Sequence, residues 1–416
     1  MGARRVATTL LTLVVALAGS AAGAEADTLV TQWGGPPGAG PGQFANPTDL
    51  AVGAGGQVYV ADSDNYRVQR FTADGAFAGQ WGTRGTAAGQ FSTPSGVATD
   101  AAGNVYVADR GNQRVQKFSA DGTFQRAWGW GVATGAQAFE ICTASCLQGL
   151  AGTGPGELFL PQTLTVDAAG NVYVTEFANN RVQRFASDGT FSGVVWGSAG
   201  SAPGQFARPV GIAAGAAGVY VADRDNNRIQ RFNSAGGPLG QWGTAGPGVG
   251  QFATLLDVAV GPDGTVYAGE TGNRRVQKFS AAGQFQSALT AVTGLPGVIR
   301  PLSLTLGPAN ELYVLDGEVG FRILKVQQTV APSGPPPPVL GKAVNVDVVK
   351  GRVLVAVRSR GAHAAQKGLQ FVPLEEARQI PTGSYLDTRH GTVSLTSATG
   401  TGSKTQAGKF SAGLFQ

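Results

Sequence analysis

The sequence predicts an all-β fold, a six-bladed β-propeller followed by a small β-rich module. Three observations lead there: one segment recurs at a near-constant spacing, each recurrence reads as a hairpin, and no helical periodicity lies between copies. The segment is VYVADSDNYRVQRF, residues 58–71. It returns as VYVADRGNQRVQKF (105–118), VYVTEFANNRVQRF (172–185), VYVADRDNNRIQRF (219–232) and VYAGETGNRRVQKF (266–279). A worn sixth copy is LYVLDGEVGFRILKV (312–326). The tyrosines Tyr59, Tyr106, Tyr173, Tyr220, Tyr267 and Tyr313 step by 47, 67, 47, 47 and 46 residues. A fixed period broken by one 20-residue insertion marks a repeat architecture.

Each copy spells four strands. Val58, Tyr59 and Val60 start a β-branched and aromatic run, Asp62-Ser63-Asp64-Asn65 breaks it with turn formers, and Arg67 to Phe71 resumes it. Upstream, GQFANPTDLAV (42–52) supplies a strand after a proline. Downstream, Asp74-Gly75 signals a tight turn into FAGQWG (77–82). Four strands in about 47 residues, repeated six times, suit propeller blades better than a sandwich. Every clear copy also sets an acid five residues before an arginine: Asp62 with Arg67, Asp109 with Arg114, Glu176 with Arg181, Asp223 with Arg228, Glu270 with Arg275. A pair present in every blade serves a need of every blade, so these read as turn caps and ion pairs. The asparagines Asn65, Asn112, Asn179, Asn226 and Asn273 suit left-handed turn positions.

The composite P-x-[GD]-[VIL]-A…VYVAD-x-x-N-x-R-[VI]-Q-[RK]-F…WG resembles the NHL repeat. The array over residues 28–326 resembles a six-bladed NHL propeller. The sixth copy departs from the pattern, with Val319 in the asparagine position and an extra residue before Arg322, which predicts a looser turn.

The chain of 416 residues has room for more than one domain. Its 64 glycines and 22 prolines mostly recur at repeat positions, so they mark turns and not disorder. Charge is unevenly placed. Residues 27–326 hold 19 Lys and Arg against 21 Asp and Glu, whereas residues 327–416 hold 10 against 4. The propeller is therefore no basic platform for nucleic acid. Residues 1–26 join Arg4 and Arg5 to an apolar run and small residues near Ala24 and Ala26, the pattern of a secretory signal. A membrane anchor is the alternative, for which an apolar run of about a dozen residues is short. The expected location is secreted or envelope-associated.

Trp33-Gly34 copies the outer-strand motif but has no blade before it, and the sixth copy lacks that motif. The N-terminal strand is thus expected to complete the last blade and pair two open edges. The insertion, within residues 129–156, holds Trp130, Phe139, Glu140 and both cysteines, Cys142 and Cys146. An isolated pair in an exported protein reads as a disulfide. Zinc would need four ligands. The loop either forms a partner-binding surface, with Trp130, Phe139 and Glu140 as candidates, or covers an edge. A proline-rich linker occupies 327–341, and residues 342–416 form a small basic β-rich module whose FVPLEEARQIPTGSYLDTRHGTVSLTSA run faintly resembles FecR-like β-domains.

Six-bladed relatives of the resemblance include lactonases and lyases that place histidines or a metal in the channel. Here the histidines are His363 and His390, both outside the propeller, and no GxSxG, HExxH or phosphate-binding loop is present. At the third position of the innermost strands stand Asp49, Gly96, Thr163, Gly211, Asp257 and Ser303. In register, Asp49, Thr163, Asp257 and Ser303 would gather oxygens at one channel mouth, which suits calcium or a small polar ligand. Asp or Gly easing the chain into the strand is the simpler alternative. Two functions follow. One is a monomeric exported scaffold, without cofactor or nucleic acid, that binds a protein, peptide or glycan. The other is a metal-dependent channel hydrolase or lyase using Asp49 and Asp257. The basic tail could also touch anionic envelope polymers.

Overall fold

The computed structural model describes residues 27–328 and, beyond them, backbone strands between 343 and 415. The expected export signal at 1–26 and the expected linker from residue 329 onward lie outside the described residues. Six antiparallel sheets follow one another in chain order, with neighbouring strands adjacent in sequence except at the outer edge of the sixth. The first blade is Pro47–Val52, Val58–Asp62, Arg67–Phe71 and Phe77–Trp81. The other innermost strands are Pro94–Thr99, Pro161–Val166, Pro209–Gly215, Leu255–Val260 and Pro301–Leu306. A proline begins five of the six innermost strands, where no ladder donor is needed.

The ring closes as the unpaired Trp33-Gly34 motif predicts. Thr28–Gly35 lies antiparallel to Phe321–Gln327, with Trp33 opposite Ile323. Asp27 reaches further: Lys278 Nζ of the fifth blade donates to its carboxylate at 2.7 Å. The backbone of Thr293 and that of Asp27 and Leu29 exchange two more bonds at 3.0–3.1 Å. The chain start is therefore stitched to two blades.

No single core fills this molecule. Six apolar clusters lie in the six gaps between adjacent blades. In the closing gap, Phe44, Leu50 and Phe71 of the first blade meet Tyr313, Leu315 and Ile323 of the sixth. The outer-strand tryptophan always packs forward. Trp81 sits edge-on to Tyr59 at 6.0 Å and reaches Phe118 of the next blade at 5.7 Å. Its ring lies flat on the Asp121-Gly122 turn, where φ of Gly122 is +90° and an added Cβ would come within 2.5 Å of the indole. Gly75, Gly189, Gly236 and Gly283 meet Trp33, Trp128, Trp196 and Trp242 in the same way.

The turn inside each repeat corrects one expectation. The left-handed residue is not the asparagine but the one after it: Tyr66, Gln113, Asn180, Asn227 and Arg274 have φ of 50–55°. Asn65 stays in a short 3-10 turn, Ser63–Asn65, because its side-chain amide is needed elsewhere. It donates to Asp62 and to the Gly38 carbonyl, both at 2.9 Å. The sixth blade makes fewer such bonds. Arg322 still donates to Asp316 at 2.8 Å, yet its Nη2 has no partner and Val319 is exposed.

Among the described C-terminal strands, Ala343–Ala356 and Tyr385–Ala398 pair antiparallel. Val372–Leu374 and Arg378–Pro381 flank the first, and Thr405–Ser411 and Leu414–Phe415 flank the second, in one six-stranded sheet.

Gly122→Ala is expected to cost at least about 1–2 kcal/mol from its backbone alone, and more because Trp81 must move. Gly240→Ala, with open space around its Cβ, should stay within about 1 kcal/mol of wild type. Chemical denaturation followed by tryptophan fluorescence separates the two.

Candidate functional site

The repeated acid–arginine pairs all form, at 2.5–2.9 Å in the first five blades, with their side chains buried or nearly so. In the second blade Asp109 accepts from Arg114 Nε at 2.9 Å, from Asn112 at 2.8 Å and from the Ser92 N–H at 2.8 Å. Arg114 then spends its remaining N–H groups on the carbonyls of Thr86, Ala87, Gln90 and Leu147, at 2.6–2.9 Å. The pair thus ties the repeat turn to the loop by which the chain enters the blade. Burial pushes the Asp109 carboxyl up and the Arg114 guanidinium down. A glutamine, a residue type without a role in the sequence expectations, completes the network: Gln116 donates to Asp109 and to the Gln90 carbonyl and accepts from Gly89 N–H. Its recurrence at Gln69, Gln183, Gln230 and Gln277 was the available signal.

The insertion adds a fifth strand to the second blade. Phe139–Cys142 runs antiparallel to the outer strand, pairing Phe139 with Trp130 and Cys142 with Ala127. Cys142 and Cys146 form a disulfide with Cα atoms 5.5 Å apart. Phe139 stacks on Phe185 of the third blade at 5.9 Å. Glu140 accepts from the Ala133 and Thr134 N–H groups at 2.8 and 2.9 Å and from the Thr134 hydroxyl. Trp130 is partly buried, and its carbonyl accepts from Leu150 N–H. The three candidate residues are thus engaged within the loop and its neighbour blade. Ile141, Leu147 and Leu150 point outward instead, and Phe159 follows them.

The third positions of the innermost strands share one task, a contact with the next blade. Asp49 Oδ2 accepts from Val97 N–H of the second blade at 2.8 Å, and Asp257 Oδ2 accepts from Leu304 N–H of the sixth at 2.8 Å. Thr163 bonds the Val210 carbonyl of the fourth blade and Thr175 of its own. Gly96 and Gly211 leave room for the following blade, since an added Cβ would lie 2.7 Å from Thr163 Cα and 2.5 Å from Asp257 Cα. Ser303 closes the circle, with its hydroxyl 2.6 Å from Asp49 Oδ1 and 2.8 Å from Asp257 Oδ2. Thr163 lies apart from this trio. Asp49, Thr163 and Asp257 head a channel cavity of about 180 Å³, lined below by residues such as Leu164, Ile212 and Val258.

One hydroxyl proton cannot bond both carboxylates. A second proton on one of the acids, donated to Ser303 Oγ, would satisfy both contacts. Burial, and then the charge of Asp257, lift Asp49 well above the usual carboxylate range. Burial lifts Asp257 to about 6. The four carboxylate oxygens each also accept a backbone N–H, from Leu50 and Val97 for Asp49 and from Val258 and Leu304 for Asp257. Each carboxylate oxygen thus already has one backbone donor. Among the described residues no group of three or more His, Cys, Asp or Glu is placed to hold a metal ion.

Both acids bind a proton more tightly when folded. Their contribution to stability is complete below the ordinary carboxylate range near 3.8 and is lost as pH rises through their raised values, about 6 for Asp257. Asp49→Asn, permanently neutral, should flatten this slope. Melting temperatures of both proteins from pH 4 to 8 are the measurement, and parallel curves would contradict the shared proton.

The NHL repeat model matches residues 44–71, 91–118, 160–185 and 206–232, one stretch in each of the first four blades. No curated protein matches the chain. Among solved structures, it is similar to a gluconolactonase from Xanthomonas campestris, at 15% identity over 68% of this chain and 87% of that one, with TM-score 0.48. It is also similar to streptogramin B lyase, at 14% identity over 68% and 94%, TM-score 0.47. Nidogen in its laminin complex follows at 15% identity over 58% and 79%, TM-score 0.43. With NHL repeats matched in four blades and a ring of six closed by its own first strand, residues 27–328 form a six-bladed β-propeller that contains NHL repeats.

Proposed function

We propose that the protein is an exported binding scaffold whose propeller carries the insertion as a contact surface for a protein, peptide or glycan. The observation that carries this reading is the outward apolar group Ile141, Leu147 and Leu150 on a braced loop. A fifth strand, a disulfide and the Arg114 bond to the Leu147 carbonyl brace it. Apolar side chains held rigidly in water are a common mark of interaction sites. The basic tail is proposed as an anchor to anionic envelope polymers, on charge alone.

A second reading rests on Asp49 and Asp257. Two acids sharing a proton at the head of a cavity, one with its pKa near neutral, have the properties of a general acid–base pair. It supports a channel hydrolase or lyase. Against it stand the backbone bonds that already occupy every carboxylate oxygen.

Two measurements on the full chain decide. Leu147→Asp with Leu150→Asp should abolish retention of a partner from extracytoplasmic extract while the melting temperature stays at the wild-type value; unchanged retention would sink the scaffold reading. Thermal unfolding with EDTA and then excess calcium should give one curve. A fall with EDTA that calcium restores would place an ion on the folded state and favour the channel reading.

A further inference from the structure

We propose that the upper face over the second to fourth blades docks an acidic peptide segment carrying apolar side chains, a refinement that rests on the scaffold reading. Directly after each repeat acid stand Ser63, Arg110, Phe177, Arg224, Thr271 and Gly317. The acid before each position recurs in every blade, and an asparagine stands two residues after it in the first five, whereas these positions vary. The ring therefore makes no common demand on them, and their variation sets apart one sector of the face.

In that sector two guanidinium groups flank one phenyl ring. The Arg110 and Arg208 guanidinium carbons each lie 5.8 Å from the centre of the Phe177 ring. Arg208 bonds Asp225 at 2.5 Å, and Arg224 lies 3.8 Å from the same carboxylate. Arg208 and Arg224 thus share one carboxylate. Arg110 has no hydrogen-bond or ion-pair partner among the described residues, and its Nε is buried and unsatisfied. Half-burial also depresses its guanidinium pKa, a cost that an incoming carboxylate would remove. A bidentate carboxylate suits the planar fork of Arg110.

The apolar half of the surface is joined to this sector by backbone. Gly149 N–H donates to the Asn112 carbonyl at 2.8 Å and Gln148 to the Gly111 carbonyl at 3.3 Å. Leu160 N–H donates to Gln113 at 2.7 Å, and Phe177 N–H to the Leu160 carbonyl at 3.4 Å. Leu147, Leu150 and Phe159 therefore sit within a few residues of the Arg110 turn, and they are 43%, 40% and 37% exposed. Carboxylates for the arginines and apolar side chains for the leucines are found together in a peptide. A sugar polymer would want a free aromatic face, but Phe177 is packed by two guanidinium groups and the leucines offer none. Nucleic acid would want a basic propeller, and this one holds 19 Lys and Arg against 21 Asp and Glu.

The test is selection of a random decapeptide phage library on the full chain, with counter-selection on an Arg110→Glu, Arg208→Glu variant shown by melting to be folded. Enrichment of sequences mixing Asp or Glu with Leu, Ile or Phe is expected. Synthetic copies should bind wild type at least about tenfold more tightly than Arg110→Glu, and Leu150→Ser should weaken them as well. Enrichment of neutral or basic peptides, or none at all, would overturn the proposal. Two further outcomes would do the same: polygalacturonate binding that Arg110→Glu abolishes, which favours an anionic glycan, and concentration-dependent dimers that the same change dissolves. If Leu147→Asp with Leu150→Asp loses an extract partner that Arg110→Glu keeps, the scaffold reading stands and this refinement falls. If neither variant loses a partner, both fall.

Discussion

Burying a carboxylate beside a guanidinium costs several kcal/mol per ion unless both find further partners. This chain does so once in every blade. Asp109 and Arg114 show how the cost is offset, because between them they satisfy a 3-10 turn, an interblade loop and the insertion. The arginine fork is what makes this possible. Its Nε faces the acid while its other two nitrogens reach carbonyls that would otherwise be buried without donors. Remove the pair, and the loop that feeds each innermost strand loses its fixed position. The channel register depends on that position.

The scaffold was legible because its constraints repeat. The acid, arginine and Asp-Gly turn return with the period, and the unmatched Trp33 at one end answers a missing outer strand at the other. Local chemistry alone misled at Asn65. Asparagine tolerates left-handed backbone, but here its amide bridges Asp62 and Gly38, so Tyr66 takes the strained position. The site was harder to read for the same reason. Asp49, Ser303 and Asp257 come from three blades and lie up to 254 residues apart, so only the closed ring shows that one hydroxyl contacts both acids. Arg110 and Phe177 were invisible to a search for recurrence because they are what fails to recur.

The channel mouth shows how one position can meet unlike residues with one geometry. Asp49 and Asp257 reach forward to a backbone N–H, Thr163 to a carbonyl, and Gly96 and Gly211 simply make way. The alternation is a matter of volume: a large side chain on one blade needs space on the blade behind it. What looks like a cluster of ligands is first a seam.

The ring also sets an order in time. Thr28–Gly35 is among the first described segments to be synthesised, yet its partner, Phe321–Gln327, is about 290 residues downstream. Each gap between blades can fill as the next repeat arrives, but the gap holding Phe44, Phe71 and Tyr313 cannot. The first strand must wait, unpaired, until the sixth blade exists, and loop-closure entropy is paid in one late step. Without that pairing the six blades would leave two edges open. Closure converts a row of separable repeats into a unit that unfolds as a whole.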